Sequence, residues 1–431
     1  MNDKFKEFLN QEQYDIVKAR SPINLIFAGA GTGKTRTLLY KIYYLLIEDQ
    51  AEFHNFFITT FTNKAAGELR ERISQQLNEK VYFPWLGTFH SLCSRILRKY
   101  ASHLGFSETF TIYDEDDSVR LLKRIIPKDK QKEDKPERIL KKISVFKENY
   151  HETGEVIDSD IEKYYRTYEK ELRNSDAMDF SDLLEKTIVL FEKEPGILNE
   201  FTRSIKYVFV DEFQDTNLAQ LRILKLLWKG LLFNDNSPML FVVGDENQSI
   251  YGFRNAKVEN ILNFPQYFKG SRIFTLKKNY RSTAQILDVA AHLAFDNPYK
   301  TGKLEPADPH RGGERVRYAI LKNDRAEAEY IVDRVQNVNA EGVDFSDIAV
   351  FFRTNFQVRI LETYFRDHGI PYVVVGAQKF YERKEIRDII AYIKLVLNDK
   401  DTVNLNRVIN IPRRGLGKKT VDNFNAEISR R

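Results

Sequence analysis

The sequence predicts an α/β fold. A parallel-sheet domain with a phosphate-binding loop is interrupted by a helical insertion and followed by the start of a second α/β unit. Three observations predict it. An apolar run, Ile23 to Ala28, passes through a glycine-rich turn into Lys34 and Thr35 at the head of a helical stretch, Thr37–Ile47. Short apolar runs recur at Phe56–Phe61, Trp85–Phe89, Tyr207–Val210, Met239–Val243 and Ile273–Leu276. Between 101 and 200 such runs fade, and amphipathic helical pieces replace them at 115–126, 137–149, 158–173 and 179–192.

Composition bounds the function classes. A chain of 431 residues with 42% apolar and 30% charged content is expected to form roughly two to four packed domains, with little disorder. A net charge of +5 is compatible with nucleic acid without demonstrating it, because clustering on one face is what matters. The single cysteine, Cys93, excludes a disulfide framework and a cysteine-based zinc site. The polar stretch Met1–Asp15 lacks the apolar core of a signal peptide, and no run approaches a membrane span, so a cytoplasmic location is expected.

In chain order, Asn10 with Glu12 and Gln13 reads as a helix start; Gln13 is either a cap partner or a reader of an adenine edge. Residues Ala28, Gly29, Ala30, Gly31, Thr32, Gly33, Lys34, Thr35 and Arg36 form the phosphate loop, with alanine at position 28 where the strict pattern has glycine. Its backbone amides and the helix N-terminus suit an anion, Lys34 can reach terminal phosphates, and Thr35 can ligate magnesium. Ligands on an open α/β sheet gather where strands end and helices begin, which places Phe61, Thr62, Asn63, Thr88 and His90 along one edge. Lys128–Arg138 reads as a charged connector. Asp211-Glu212 closes a strand as an acidic pair: Asp211 for magnesium, Glu212 for polarising water. Gln248 follows the strand ending at Gly244-Asp245 and can sense a γ-phosphate. Tyr251, Phe253 and Arg254 form an aromatic–basic cluster that is either core packing or a stacking platform. Further on, strands are expected at 315–321, 347–352 and 371–375, with helices at 324–338, 356–368 and 382–397. Ile386, Ile389, Ile390, Ile393, Val396 and Leu397 keep helical spacing and are expected in the core.

The stretches Leu9–Gln13, Ala28–Arg36, Thr60–Arg72, Gly87–Arg98, Val210–Asn217, Val243–Ala256 and Asn279–Thr283 fall in one order that resembles the UvrD/Rep/PcrA family of superfamily-one DNA helicases. Arg353–Asn355, Gly376–Ile386 and Ile409–Gly417 extend the likeness over essentially the whole chain. Asp-Glu-Phe-Gln-Asp joined to Gly-Asp-Glu-Asn-Gln-Ser-Ile-Tyr carries most of its specificity.

The resemblance implies a RecA-like motor domain in two parts (1–100 and 201–280) around an inserted helical domain (101–200). The start of a second RecA-like domain (281–385) and of a second helical insertion (386–431) would follow. It implies ATP with magnesium, adenine between Gln13 and Tyr280, and Lys34, Gln248 and Arg281 around the γ-phosphate. Thr35 and Asp211 would serve the metal, with Glu212 as base. Phe61, Thr62, Asn63, His90, Tyr251, Phe253 and Arg254 would line a single-stranded DNA track, continued by Arg353 and Asn355. The family often carries tryptophan in place of Phe253 and a bulkier residue in place of Gly252.

The implied activity is a DNA-dependent ATPase and helicase moving 3′→5′ on single strands and single-strand/duplex junctions. Repair or replication proteins are the implied partners, and the oligomeric state is left open. The C-terminal motifs of the family are not found before Arg431. An N-terminal portion that binds ATP but turns it over slowly and does not unwind is therefore expected, with an ATP-switched single-strand-binding module as the alternative. A small-molecule P-loop kinase would leave the cluster at 251–254 and the helical insertion without a purpose.

Overall fold

The computed structural model describes residues 4–234, 237–295, 297, 302–375, 383–417, 419–421 and 423–424; the side chains of Lys4, Asp160 and Asn355 also lie outside the description. Its strands are β1 (Ile23–Ala28), β2 (Phe56–Thr59), β3 (Trp85–Gly87), β4 (Thr111–Ile112), β5 (Ala177–Met178), β6 (Tyr207–Val210), β7 (Met239–Gly244), β8 (Arg272–Leu276), β9 (Lys278–Asn279) and β10 (Glu305–Pro306). Contacts divide the chain into two compact units, residues 1–313 with 388–431, and residues 314–387.

The first unit is built on a six-stranded sheet in the order β3-β2-β6-β7-β1-β8, parallel throughout. Side chains alternate between its faces, because successive residues of a strand point opposite ways. Leu25, Phe57, Val208, Val210, Leu240 and Val242 pack under helices Phe89–Tyr100, Phe180–Lys193 and Leu218–Phe233. Ile26, Phe56, Ile58, Tyr207, Phe209, Phe241 and Val243 pack under helices Lys34–Glu48 and Asn63–Leu77. Both faces are covered, which is why these strands read as continuous apolar runs. Cys93 lies inside the first of these cores, and burial pushes its thiol pKa up to about 12.

The helical insertion has its own core, which includes Tyr113, Leu122, Ile143, Tyr168 and Val403. The charged connector ends where Pro136 opens a helix, Pro136–Thr153, as proline does well in a first turn. Lys147 on that helix is fully buried, with Nζ 3.0 Å from Asp179 and 2.8 Å from Asp182. The segment 398–403 packs onto this insertion: the Tyr113 hydroxyl donates to Asp401 at 2.8 Å, and Asn398 Nδ2 donates to the Asp176 carbonyl at 3.0 Å.

The second unit contains helices Asp324–Ala340 and Asn355–Asp367 around a small core of Val332, Val335 and Ile370. The strands expected at 315–321, 347–352 and 371–375 are not formed there: those segments carry no ladder among the described residues. Apolar, β-branched composition prepares a segment for a sheet, but the strand exists only when a neighbour accepts its hydrogen bonds. The expected core stripe of helix Lys384–Leu397 is corrected too. Ala391 is its buried residue, while Ile389, Ile393, Val396 and Leu397 are exposed. Part of the stretch Gly376–Ile386, residues 376–382, falls outside the described residues.

Candidate active site and nucleic-acid interface

The glycine-rich turn joins the end of β1 to helix Lys34–Glu48. Gly31 and Gly33 sit at φ +72° and +89°, where L side chains are strained. A side chain would also crowd its neighbours: a Cβ on Gly31 would lie 2.7 Å from both Arg281 Cβ and Asn279 Nδ2, and one on Gly33 would lie 2.6 Å from Gln13 Nε2 and displace that amide. Two side-chain amides thus brace the loop. Gln13 Nε2 donates to the Thr32 carbonyl at 3.0 Å, and Asn279 Nδ2 donates to the Ala30 carbonyl. The Tyr280 amide donates to the Gly31 carbonyl at 2.9 Å. Gln13 also closes a capping box with Asn10, so its cap role is real and its carbonyl oxygen is engaged. Asn10 Nδ2 donates to the Tyr280 hydroxyl at 2.7 Å, which holds that half-exposed ring beside the loop.

Lys34 opens the helix with its side chain almost buried, and Nζ lies 2.8 Å from Glu212 Oε2 and 3.3 Å from Gln248 Oε1. Glu212 itself sits in the left-handed region at φ 51°, an uncommon conformation for a side chain of this size that re-aims the carboxylate as the chain leaves β6. Gln214 ties two strand ends together: its Nε2 donates to Glu212 at 2.8 Å and its Oε1 accepts the Asp245 amide at 2.9 Å. Gln248 Nε2 donates to Asp245. Burial, and then the nearby Glu212 charge, push Asp211 up to about 7, and Asp215 up to about 6.

Among the described residues no cluster of three or more acidic, histidine or cysteine side chains could cage a metal alone. A hydroxyl at Thr35 and a single carboxylate at Asp211 nevertheless fit magnesium, which keeps waters and borrows substrate oxygens. Thr35 is exposed. Arg36 donates to the Phe8 carbonyl at 2.6 Å and lies over the Tyr40 ring, so its guanidinium is already occupied. Arg281 is exposed, with its amide on Asn279 Oδ1 at 2.9 Å. A cavity of about 810 Å³ adjoins the loop on its Ala28–Ala30 side, bounded also by Asp245–Gln248 and helix residues Leu287–Phe295.

The aromatic cluster at 251–254 is not core. Phe253 is 57% exposed, its ring centroid 5.8 Å from that of Tyr251, whose other neighbour is Phe61 at 4.6 Å. Arg254 reaches over both the Tyr251 and Phe253 rings, at 5.4 and 5.6 Å. Thr62 caps helix Asn63–Leu77 through its hydroxyl, and Asn63 opens it, both exposed. β2 stops at Thr59, so Phe61 stands beyond the sheet. His90, in the first turn of helix Phe89–Tyr100, packs edge-on against the exposed Phe180, and burial pushes its pKa down to about 4. Arg353 belongs to the second unit, where its amide donates to Gln357 at 3.0 Å; Asn355 opens a helix there and its side chain lies outside the description. Gln214 and Asn279 were not singled out from sequence, and Asn10 was read only as part of a helix start. Asn279 carried a signal, a polar residue directly before Tyr280-Arg281, but amides at Asn10 and Gln214 look like ordinary cap and loop residues.

A braced glycine-rich loop facing an acidic strand end on a parallel sheet defines a P-loop nucleotide-binding class, and comparison with known proteins gives the family. The model of the UvrD/REP helicase N-terminal domain matches residues 9–269, and that of the UvrD-like helicase C-terminal domain matches residues 274–431. The chain belongs to the UvrD/REP helicase family. It is 37% identical over 424 residues to proteins named ATP-dependent DNA helicase PcrA from Staphylococcus epidermidis and Staphylococcus aureus, with 96% of this chain and 57% of each relative covered. It therefore spans a little over half the length of those relatives. The C-terminal match corrects the expectation of an N-terminal portion without C-terminal motifs: the chain carries the family's C-terminal domain model from residue 274 onward. No helix among the described residues is long and apolar enough to cross a membrane.

Proposed function

We propose that this chain is an ATP-driven DNA helicase motor of the UvrD/PcrA type, moving 3′→5′ along single strands and acting at single-strand/duplex junctions. The carrying observation is the contact set Lys34–Glu212–Gln214–Asp245–Gln248, which links the phosphate loop to the strand end that leads into the aromatic cluster. ATP would enter with adenine between Gln13 and Tyr280 and its phosphates against the amides of 29–35. Lys34, Gln248 and Arg281 would meet the γ-phosphate, and Glu212 would take the proton of the attacking water. Lys34 neutralises Glu212; a phosphate bound at the loop would compete for that ammonium and free the carboxylate as a base. Magnesium, when held by Thr35 and Asp211, supplies charge neutralisation at the phosphates. Phe61, Tyr251, Phe253 and Arg254 would grip bases and phosphates of the strand, with Thr62, Asn63 and His90 along its edge. Arg353 and Asn355 would continue the grip. Repair or replication proteins as partners, and a cytoplasmic location, complete this reading.

The test is ATP hydrolysis with and without an oligo-dT, followed by strand separation on a tailed duplex. Lys34→Ala should abolish hydrolysis, and Phe253→Ala should weaken oligonucleotide binding by roughly 1–3 kcal/mol if a base stacks there. Binding should also fall steeply with salt as phosphate counterions are released. Hydrolysis indifferent to DNA, with Phe253→Ala binding unchanged, would overturn the reading.

A further inference from the structure

We infer that Asn255 is a positioning residue that fixes the aromatic loop to the helical insertion, so that the insertion sets where the Tyr251 and Phe253 rings meet a strand. The inference rests on the single-strand track proposed above. The loop 251–255 is a single short turn: the amides of Arg254 and Ala256 both donate to the Tyr251 carbonyl, at 2.8 and 3.3 Å, and Asn255 closes it at φ 62°. Asparagine tolerates that left-handed backbone, as glycine does. A glycine, however, would leave the turn unattached on this side. The Asn255 amide instead spends both its protons on the insertion: Nδ2 donates to Glu148 Oε2 at 2.9 Å and to Asn149 Oδ1 at 3.0 Å.

The platform receiving those bonds is tied into the core of the insertion. Glu148 and Asn149 follow directly on Lys147, which is clamped to Asp179 and Asp182 in the core of the insertion. Burial raises the Glu148 carboxyl pKa, and the Asn255, Asn217 and Ser181 side chains beside it partly offset that rise. Asn217 caps helix Leu218–Phe233 immediately after the 212–216 segment. On both sides of the turn the chain is moored to that segment: Ser249 Oγ donates to the Gln214 carbonyl at 3.3 Å, and the Lys257 amide donates to the Thr216 carbonyl at 2.9 Å. The rings therefore stand between two moorings. One follows the acidic strand end, and the other, Asn255, follows the insertion.

The test replaces Asn255 by glycine, which keeps the backbone turn and removes the tether. In Asn255→Gly the oligo-dT concentration that half-saturates ATPase stimulation should rise roughly 3- to 10-fold, the range one lost hydrogen-bond anchor supports. Turnover at saturating oligonucleotide, turnover without it, and the melting temperature should stay as in the unaltered protein. Glu148→Ala should reproduce the shift, Glu148→Gln should largely restore it, and Asn255→Gly with Glu148→Ala should be no worse than either alone. If Asn255→Gly does not fold, Glu148→Ala and Glu148→Gln decide the matter by the same readout. An unchanged half-saturation, an equal loss of saturating turnover, or additive single effects would overturn the inference. Phe253→Ala in the same assay separates the two readings. If Phe253→Ala shifts half-saturation and Asn255→Gly does not, the tether alone fails; if neither does, the track fails and takes the tether with it.

Discussion

Two apolar segments, one from each compact unit, have opposite fates. Phe56–Thr59 pairs on both sides, with β3 and β6, and Phe56, Phe57 and Ile58 are buried. Tyr372–Val375, Tyr-Val-Val-Val, is the stronger strand former by composition, yet it carries no ladder among the described residues and leaves Val373 90% exposed. The difference teaches that a strand is a property of a pair. Side chains set the tendency, and a neighbour's amides and carbonyls decide whether it is realised.

Hydrogen exchange should break or confirm that contrast most widely. Amides of β1, β6 and β7 should exchange only through global opening, whereas those of 348–352 and 372–374 should be close to unprotected. The gap is expected to exceed roughly a thousandfold in rate. Mass spectrometry of peptides from both units would show it, and equal protection would erase the distinction.

Mutation should reveal the same asymmetry inside the packed unit. Lys147→Met leaves Asp179 buried without its cation and Asp182 with Lys186 alone, 3.4 Å away, and should cost about 3–5 kcal/mol in urea unfolding. A loss under ~1 kcal/mol would show that this cluster is solvated in solution.

The smallest sharpening lies in acid. His90 is held neutral by burial, with its pKa lowered from 6.5 to about 4. The unfolded chain therefore takes up the proton first, and the histidine's contribution to stability is lost as pH falls from 6.5 towards 4. His90→Gln should remove that loss, so the melting temperatures of the two proteins should diverge between pH 7 and pH 4.5. Parallel curves would place the ring in water.

Much of the first unit was legible because its chemistry is local. Ile23–Ala28 followed by glycines, Lys34 and Thr35 writes strand, turn and helix in consecutive residues, and Tyr207–Val210 before Asp211-Glu212 does the same. The aromatic cluster was legible as residue types, but only its exposure removed the core alternative. What was not legible is long-range polar bracing. Asn279 reaches Ala30 and Asn10 reaches Tyr280 across most of the first unit's sequence, and an amide announces no partner. Nor could spacing decide helix Lys384–Leu397, where periodicity reports an apolar face but not whether something covers it.

The interior position of Cys93 has a practical outcome. The chain's only thiol is enclosed and stays protonated at neutral pH, so it will not compete for maleimide reagents. A cysteine introduced at exposed Tyr82 or Val156 should accept a fluorophore at one place without a cysteine-free background being made first. Dye-based observation of this chain can begin from the sequence as it stands.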